Sequence, residues 1–303
     1  MTRREALLVL PAALPAVAAS LGGVSLGFSL YGMKNVPIDQ ALRICSRIGY
    51  DGVEMCLMPG WTPPESLADD ARRKIKSGLA ENRLGLLALM EQLSLAEHEM
   101  PRQTGIERLK RAAALGRALA PGRPLIETVA GGKAKDWNDS KRQLAERLNV
   151  WAGVAKDHDF LLCVKAHAAA AVDTPEKLLW LYHQVNVPNL KLTYDYSHFQ
   201  AAGLPLAGTL EPLIHDTRFI HVKDAKGPAD HPHFLLVGDG GVDYEAYFRL
   251  LKKASYRGPI VAEVSAQLQH LPGYDAEYAA SHSYQPLARA AKTTGLRRVN
   301  IDA

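Results

Sequence analysis

The sequence predicts a single (β/α)8 barrel. Three observations lead there: eight short β-rich runs, amphipathic segments alternating with them, and no Gly/Ser-rich linker or compositional break along the way. With 303 residues, 47% of them hydrophobic, the chain can bury a large core without disulfides or a structural metal. In order, the strand candidates are 24-VSLGFSLY, 50-YDGVEMCL, 85-GLLALMEQL, 125-LIETVA, 160-FLLCVKAH, 190-LKLTYDYS, 219-FIHVKD and 259-PIVAEVS. Between them the spacing turns helical. In 137-WNDSKRQLAERLNVWAGVAKD, residues Leu144, Leu148, Trp151 and Val154 keep one apolar face. In 174-TPEKLL, Thr174 stands at an N-cap and Pro175 in the first turn, with Lys177 where a capping box would have Glu. A doubly wound open sheet is the competing architecture, but no G-x-G-x-x-G follows a strand and no P-loop occurs.

Residues 1–22 stand apart, and the barrel is assigned to 23–303. In 1-MTRREALLVLPAALPAVAAS-20 a basic start precedes an apolar run with two prolines and small residues suited to cleavage, which is the grammar of an export signal. Thr2-Arg3-Arg4 resembles a twin-arginine opening, although Ala6 stands where a large apolar residue is usual. The run is short and proline-broken for a membrane span, so the expectation is a periplasmic or secreted protein with no stable span once the signal is removed. The formal charge of +4 is scattered, with no basic block interleaved with aromatics, which argues against nucleic acid as a partner. Cys45, Cys56 and Cys163 are an odd number at unrelated spacings and make no disulfide framework.

Barrel active sites form at the C-terminal strand ends. Here those ends carry Glu127, Lys165 and His167, Asp195, His221, Lys223 and Asp224, and Glu263. Period-two alternation places Leu161, Cys163, Lys165 and His167 on one face of strand 5. It does the same for Thr193, Asp195 and Ser197, for Phe219, His221 and Lys223, and for Val261, Glu263 and Ser265. If these are the inward faces, two carboxylates, a histidine and a lysine meet at one mouth. Carboxylates plus an imidazole suit a divalent ion such as Mn²⁺, Mg²⁺, Co²⁺ or Zn²⁺. Any one of them alone reads more often as hydrogen-bonded structure than as a ligand, and it is four at successive strand ends that point to a metal.

The strings 193-TYDYSHF, 221-HVKD, 238-GDGGVDY and 261-VAEVS, in that order, resemble the xylose isomerase-like barrel family of sugar epimerases, sugar-phosphate isomerases and inosose dehydratases. The openings 27-GFSLYG and 49-GYDGVEM are similar to its first two strands, and the likeness runs over roughly residues 24 to 290. The resemblance implies Asp195, His221 and Glu263 as metal ligands and His198 near the metal or substrate. One stretch departs from it. Relatives carry Glu-x-His at the end of strand 5, the Glu being both ligand and base, whereas 165-KAH-167 puts a lysine there.

Three readings of Lys165 stay open. It is a base or electrophile with a lowered pKa, or a structural partner of Glu127, which then offers the metal its other oxygen, or the mark of a site that has lost its metal. The chemistry implied by the resemblance is removal of a proton beside a carbonyl with stabilisation of the enediolate. One Glu and one Lys suit elimination better than epimerisation. Glu263 and Lys165 are then the catalytic pair, with His167, His198 and Lys223 on the substrate. Trp61 in 58-MPGWTPPE is either a sugar platform or a packed lid, His231 and His233 lie on a loop after strand 7, and Glu54 and Glu91 line the pocket or pair within the barrel. Without a phosphate-binding turn, the substrate class is a free sugar, keto-sugar or glycoside, with 3-keto-glycoside lyases the favoured variant. A non-catalytic or metal-free sugar-binding barrel is the alternative. Self-association is left open.

Overall fold

A computed structural model describes residues 22–96, 99–131, 137–168, 170–228 and 230–299. All but the last residue of the leader segment 1–22 lies outside the described residues. Eight parallel strands close a barrel: β1 (Val24–Ser29), β2 (Gly52–Cys56), β3 (Gly85–Met90), β4 (Leu125–Val129), β5 (Leu161–Lys165), β6 (Leu190–Asp195), β7 (Thr217–Val222) and β10 (Gly258–Ala262). Every expected strand is present and each pairs with its neighbours in the chain, β10 returning to β1. A short antiparallel hairpin, β8 (Asp224–Lys226) with β9 (His233–Leu235), stands between β7 and the next helix.

The helices between strands are α1 (Ile38–Ile48), α2 (Asp69–Glu81), α3 (Arg102–Leu119), α4 (Trp137–Asp157), α5 (Pro175–His183), α6 (Tyr196–Ala201), α7 (Leu206–Leu210) and α8 (Tyr244–Lys253). Short α9 (Ala266–Gln269) and long α10 (Ala276–Thr294) follow β10. On α4 the predicted stripe faces the barrel, with Leu144, Leu148 and Trp151 buried and Val154 at its edge. Thr174 caps α5, its Oγ1 accepting from Lys177 N at 3.3 Å. Thr174→Ala is expected to cost about 1 kcal/mol in urea unfolding, and an unchanged midpoint would contradict the cap. Among the described residues no helix is long and apolar enough to cross a membrane.

Two cores flank the strands. The larger lies between strands and helices around Phe28, Trp151, Phe160, Tyr194 and Phe248. The smaller fills the barrel: Leu87, Ala88, Cys163, Phe219 and Val261 pack together, so the inward parity of β5, β7 and β10 is as expected. Leu87 reaches across because β2 offers a glycine. A Cβ at Gly52 would lie 2.5 Å from the Gly85 carbonyl oxygen and 2.7 Å from Leu87 Cγ. One pleat further along, the same inward faces present Glu54, Glu127, Lys165, His221 and Glu263 above this apolar plug.

Strand 6 ends earlier than predicted. Asp195 leaves the strand as the N-cap of α6, where its Oδ1 accepts from Ser197 N at 3.2 Å and from Ser197 Oγ at 2.6 Å. Ser197 is therefore a helical residue that holds Asp195, and not a further inward strand position. A carboxylate is a strong N-cap, so the chain turns as soon as it can satisfy the orphan amides.

Candidate active site

Lys165 stands at the centre of the barrel mouth. Its Nζ lies 2.9 Å from His221 Nδ1, 3.1 Å from Glu263 Oε2, 3.3 Å from Glu127 Oε1 and 3.7 Å from Asp195 Oδ2. Parallel register sets this up, with Val129 beside Lys165 and Asp195 beside His221. Lys223, just past β7, adds a second ammonium that donates to Asp195 Oδ2 at 2.5 Å and to Glu263 Oε2 at 3.0 Å. Behind them His221 Nε2 faces Glu54 Oε2 at 3.0 Å. All of these groups are buried; Glu263, with its side chain 11% exposed, is the most open.

The charges tune one another. Burial alone would push Lys165 down, but Glu127, Glu263 and Asp195 outweigh it and hold the amine well above the usual lysine value. Burial likewise raises Glu263 and Asp195, yet Lys165 and Lys223 hold the first, and Lys223 and His198 the second, well below the carboxylate range. Glu127 goes the other way: burial raises it and Lys165 offsets that only in part. For His221, burial opposes the charged form and the pull of Glu54 prevails, raising its pKa. His221 Nδ1 meets both the Lys165 ammonium at 2.9 Å and Glu263 Oε2 at 3.1 Å, while Nε2 faces Glu54. Lys165 is thus a fixed positive charge and hydrogen-bond donor, and neither a base nor an amine of lowered pKa. Glu263, expected as the base, is the weaker of the two carboxylates beside it.

His167 and His198 stack with ring centroids 4.1 Å apart, and the Ala168 peptide sorts their protons. His167 Nδ1–H donates to Ala168 O at 2.8 Å, which leaves its Nε2 as an acceptor. His198 Nδ1 accepts from Ala168 N at 3.2 Å, and its Nε2 faces Asp195 Oδ2 at 3.3 Å. Burial and then the Lys165 charge push His167 down to about 4. Burial and then His167 push His198 down to about 3. Both rings are neutral near pH 7, so His167 suits acceptance of a hydroxyl hydrogen.

Glu127, Lys165, His167, His198, Lys223 and Glu263 line a cavity of about 210 Å³ with Tyr31, Glu91 and Phe234, Asp195, His221 and Glu54 lying behind its wall. Burial pushes the Glu91 carboxyl up to about 7 against the opposing pull of Arg108, its ion-pair partner from α3. Phe234 comes from the hairpin and lies over Lys223, its ring centroid 5.2 Å from Nζ. Asp224 anchors that hairpin to 238-GDGGVDY, its Oδ2 accepting from Gly240 N at 2.7 Å and its Oδ1 from Tyr244 Oη at 2.6 Å. His231 and His233 are exposed and outside the cavity.

Trp61 is not an open platform. One face stacks on Tyr31 at 5.0 Å, the Lys34 ammonium lies 4.4 Å from its ring centroid, and its Nε1 donates to Tyr31 O at 3.1 Å. It borders a second cavity of about 530 Å³, which meets the first at Ala266. Tyr31, which strand 1 parity would have placed inward, is the aromatic wall that the sequence reading overlooked. A third cavity, about 330 Å³, lies at the other end of the barrel among Leu87, Pro124 and Leu125. It gathers no catalytic set, and its arginines are engaged elsewhere, Arg123 with Asp159 and Arg218 with the His215 carbonyl.

Among the described residues two groups have the spacing of metal ligands: Asp195, His221 and Glu263, and, deeper, Glu54, Glu127 and His221, the donor atoms of each set lying within 4.8 Å of one another. The first is the set that the resemblance implies, with Glu127 beside it. A divalent ion does not fit there as the side chains stand, because Lys165 and Lys223 already draw on the oxygens that would bind it and repel a further cation. In the deeper set, Glu54 Oε1 and Glu127 Oε1 are buried without a hydrogen bond.

Known proteins carry the same frame. Inosose dehydratase of Clostridium perfringens is 25% identical over 137 residues, which is 40% of this chain and 46% of that protein, so the chain spans about half the length of that relative. Two solved structures share the fold. One is apo 3-keto-D-glucoside 4-epimerase, YcjR, of E. coli, with TM-score 0.69, 16% identity, and coverage of 88% of this chain and 99% of that one. The other is the IOLI protein with a bound zinc atom, with TM-score 0.73, 20% identity, and coverage of 89% and 99%. At these identities the structural likeness carries the fold alone. The model of the xylose isomerase-like TIM barrel matches residues 42–288, most of the chain, and the chain belongs to that family.

Proposed function

We propose that this chain is a sugar isomerase, epimerase or lyase that removes a proton beside a carbonyl, and that it acts by elimination on a keto-sugar or 3-keto-glycoside. The observation that carries this reading is the pair of buried ammonium groups, Lys165 and Lys223, converging on one cavity beside carboxylates of unequal basicity. Donors fixed where an enediolate oxygen would develop charge are the largest single source of stabilisation for this reaction type.

The roles follow from the tuning. Glu127, more basic than Glu263, takes the α-proton, and the C–H electron pair moves into the carbonyl, whose oxygen is held by the lysines. As the enediolate collapses, the bond from the β-carbon to the departing oxygen breaks and that oxygen takes a proton from Glu91, whose pKa of about 7 keeps a protonated fraction at neutrality. His167 Nε2 holds a sugar hydroxyl. Both cations are already paired with carboxylates, which favours a neutral substrate over a sugar phosphate. The cavity at the mouth is small beside the roughly 300–1,000 Å³ of a drug-sized site, and the adjoining one bordered by Trp61 offers room for a leaving group. That the chain is similar in sequence to an inosose dehydratase, and in fold to a 3-keto-D-glucoside epimerase, supports the substrate class. The leader, read as an export signal, makes this a periplasmic or secreted activity.

The test is a product screen by mass spectrometry with 3-keto-glycosides and free ketoses. Release of the aglycone together with an unsaturated keto-sugar is expected. Tight binding of these sugars without any turnover would replace this reading with the sugar-binding alternative.

A further inference from the structure

Four polar atoms from four strands or strand ends, two of them hydrogen-bonded and two in ion-pair range, surround a single point in the mouth, and that point is a nitrogen of the chain itself. Lys165 Nζ lies between 2.9 and 3.7 Å from His221 Nδ1, Glu263 Oε2, Glu127 Oε1 and Asp195 Oδ2. A cage of that radius is the cage of an ammonium, since divalent ions hold nitrogen and oxygen ligands at about 2.0–2.2 Å. Each of these atoms would have to move inward by roughly an ångström to grip such an ion.

We propose that the Lys165 ammonium, assisted by Lys223, is the resident cation of this site and stands in for a divalent metal. The inference deepens the functional reading above, supplying its electrophile from the chain.

Three features of the site support the substitution. Lys165 is only 4% exposed and enters from a strand whose end is pinned by Ala130 N donating to Lys165 O at 2.8 Å, so the side chain has no solvent position to retreat to if an ion arrives. Lys223 takes the remaining side of the cage and shares Asp195 Oδ2 and Glu263 Oε2 with Lys165, so an incoming ion would meet two positive charges on the oxygens it needs. Lys165 also enters at the strand 5 position from which a carboxylate would have completed the acidic set. The exchange of carboxylate for ammonium both removes a ligand and supplies the charge.

Among the described residues the deeper Glu54–Glu127–His221 set is where an ion could sit below the lysine, and the experiment addresses it. The full chain is equilibrated with Mn²⁺, Co²⁺ or Zn²⁺, desalted, and analysed by plasma mass spectrometry beside Lys165→Glu, Lys165→Gln and Glu54→Gln, with circular dichroism reporting folding. Wild type is expected to retain fewer than about one ion per ten chains and Lys165→Glu about one per chain, removable by chelator. Wild type holding close to one ion per chain overturns the proposal, whether or not Glu54→Gln releases it. A folded Lys165→Glu or Lys165→Gln that stays metal-free also overturns it, because the lysine would then not be what keeps ions out. Should the Glu variant fail to fold, the Gln variant decides; and the quenching of the Mn²⁺ paramagnetic resonance signal by wild type, expected to be absent, decides without any variant. None of these readings needs a substrate, so they stand or fall separately from the product screen.

Discussion

Replacing Lys165 with methionine is expected to lower kcat by about 10²–10³, the loss typical of removing one oxyanion donor. The methionine keeps the stem's packing and deletes only the charge that Glu127, Glu263 and Asp195 surround. The same change leaves those carboxylates short of a partner, and breaking a buried pair from one side costs about 3–5 kcal/mol when the remaining charge cannot escape. Here the carboxylates can take up protons, so the variant's stability relative to wild type should recover as the pH is lowered from neutrality. Turnover and urea midpoints measured on one preparation separate the two effects. Activity within a few-fold of wild type would rule out the lysine as the electrophile.

The two buried histidines are expected to withdraw stability from wild type between pH 6.5 and pH 4, against Glu91, Glu127 and His221, whose raised values act the other way. His167 and His198 are held at about 4 and about 3 in the folded chain, against an ordinary value of 6.5. Because the folded values are the lower ones, the unfolded chain binds protons first. Their contribution is present above pH 6.5 and is lost as pH falls toward the folded values. At about 1.4 kcal/mol per unit, the two rings together are worth several kcal/mol. Asp195 and Glu263, held below the carboxylate range, act in the same direction at lower pH: their stabilisation is present above the ordinary carboxylate value and is lost as pH falls below it. Lys165, raised above the ordinary 10.5, contributes below that value and is lost only as pH rises past it. Urea midpoints at pH 7, 6, 5 and 4 should fall more steeply, or rise less, in wild type than in His198→Asn. Profiles of the same slope in wild type and His198→Asn would contradict the neutral, buried state of that ring.

The barrel was legible because its signals are local and redundant. Each strand is a short apolar run, each helix shows a stripe such as Leu144, Leu148 and Trp151, and period-two parity correctly set Cys163, Phe219 and Val261 inside with Lys165, His221 and Glu263 above them. Parity gives a face and not a reach. It could not say that four methylenes carry Lys165 Nζ to the midpoint of the acidic set, nor that Lys223 from the loop past β7 joins it there, and the open readings of Lys165 turned on that distance. It also failed where a cap outcompetes the pleat, as at Ser197, and where a residue acts from a loop, as Phe234 does. Trp61 was singled out for its residue type, while Tyr31, the ring it supports, holds the position that faces the cavity.

The most direct test of the account is solvent exchange at the carbon beside the carbonyl, followed by proton NMR with a 3-keto-glycoside in D₂O, using wild type freed of metal by chelator and Lys165→Met beside it. Loss of the α-proton signal is expected with chelated wild type at an undiminished rate, and not with the variant. Exchange that is absent until a divalent ion is added, or that continues unchanged in Lys165→Met, would contradict the claim that this barrel enolises its substrate with a lysine of its own.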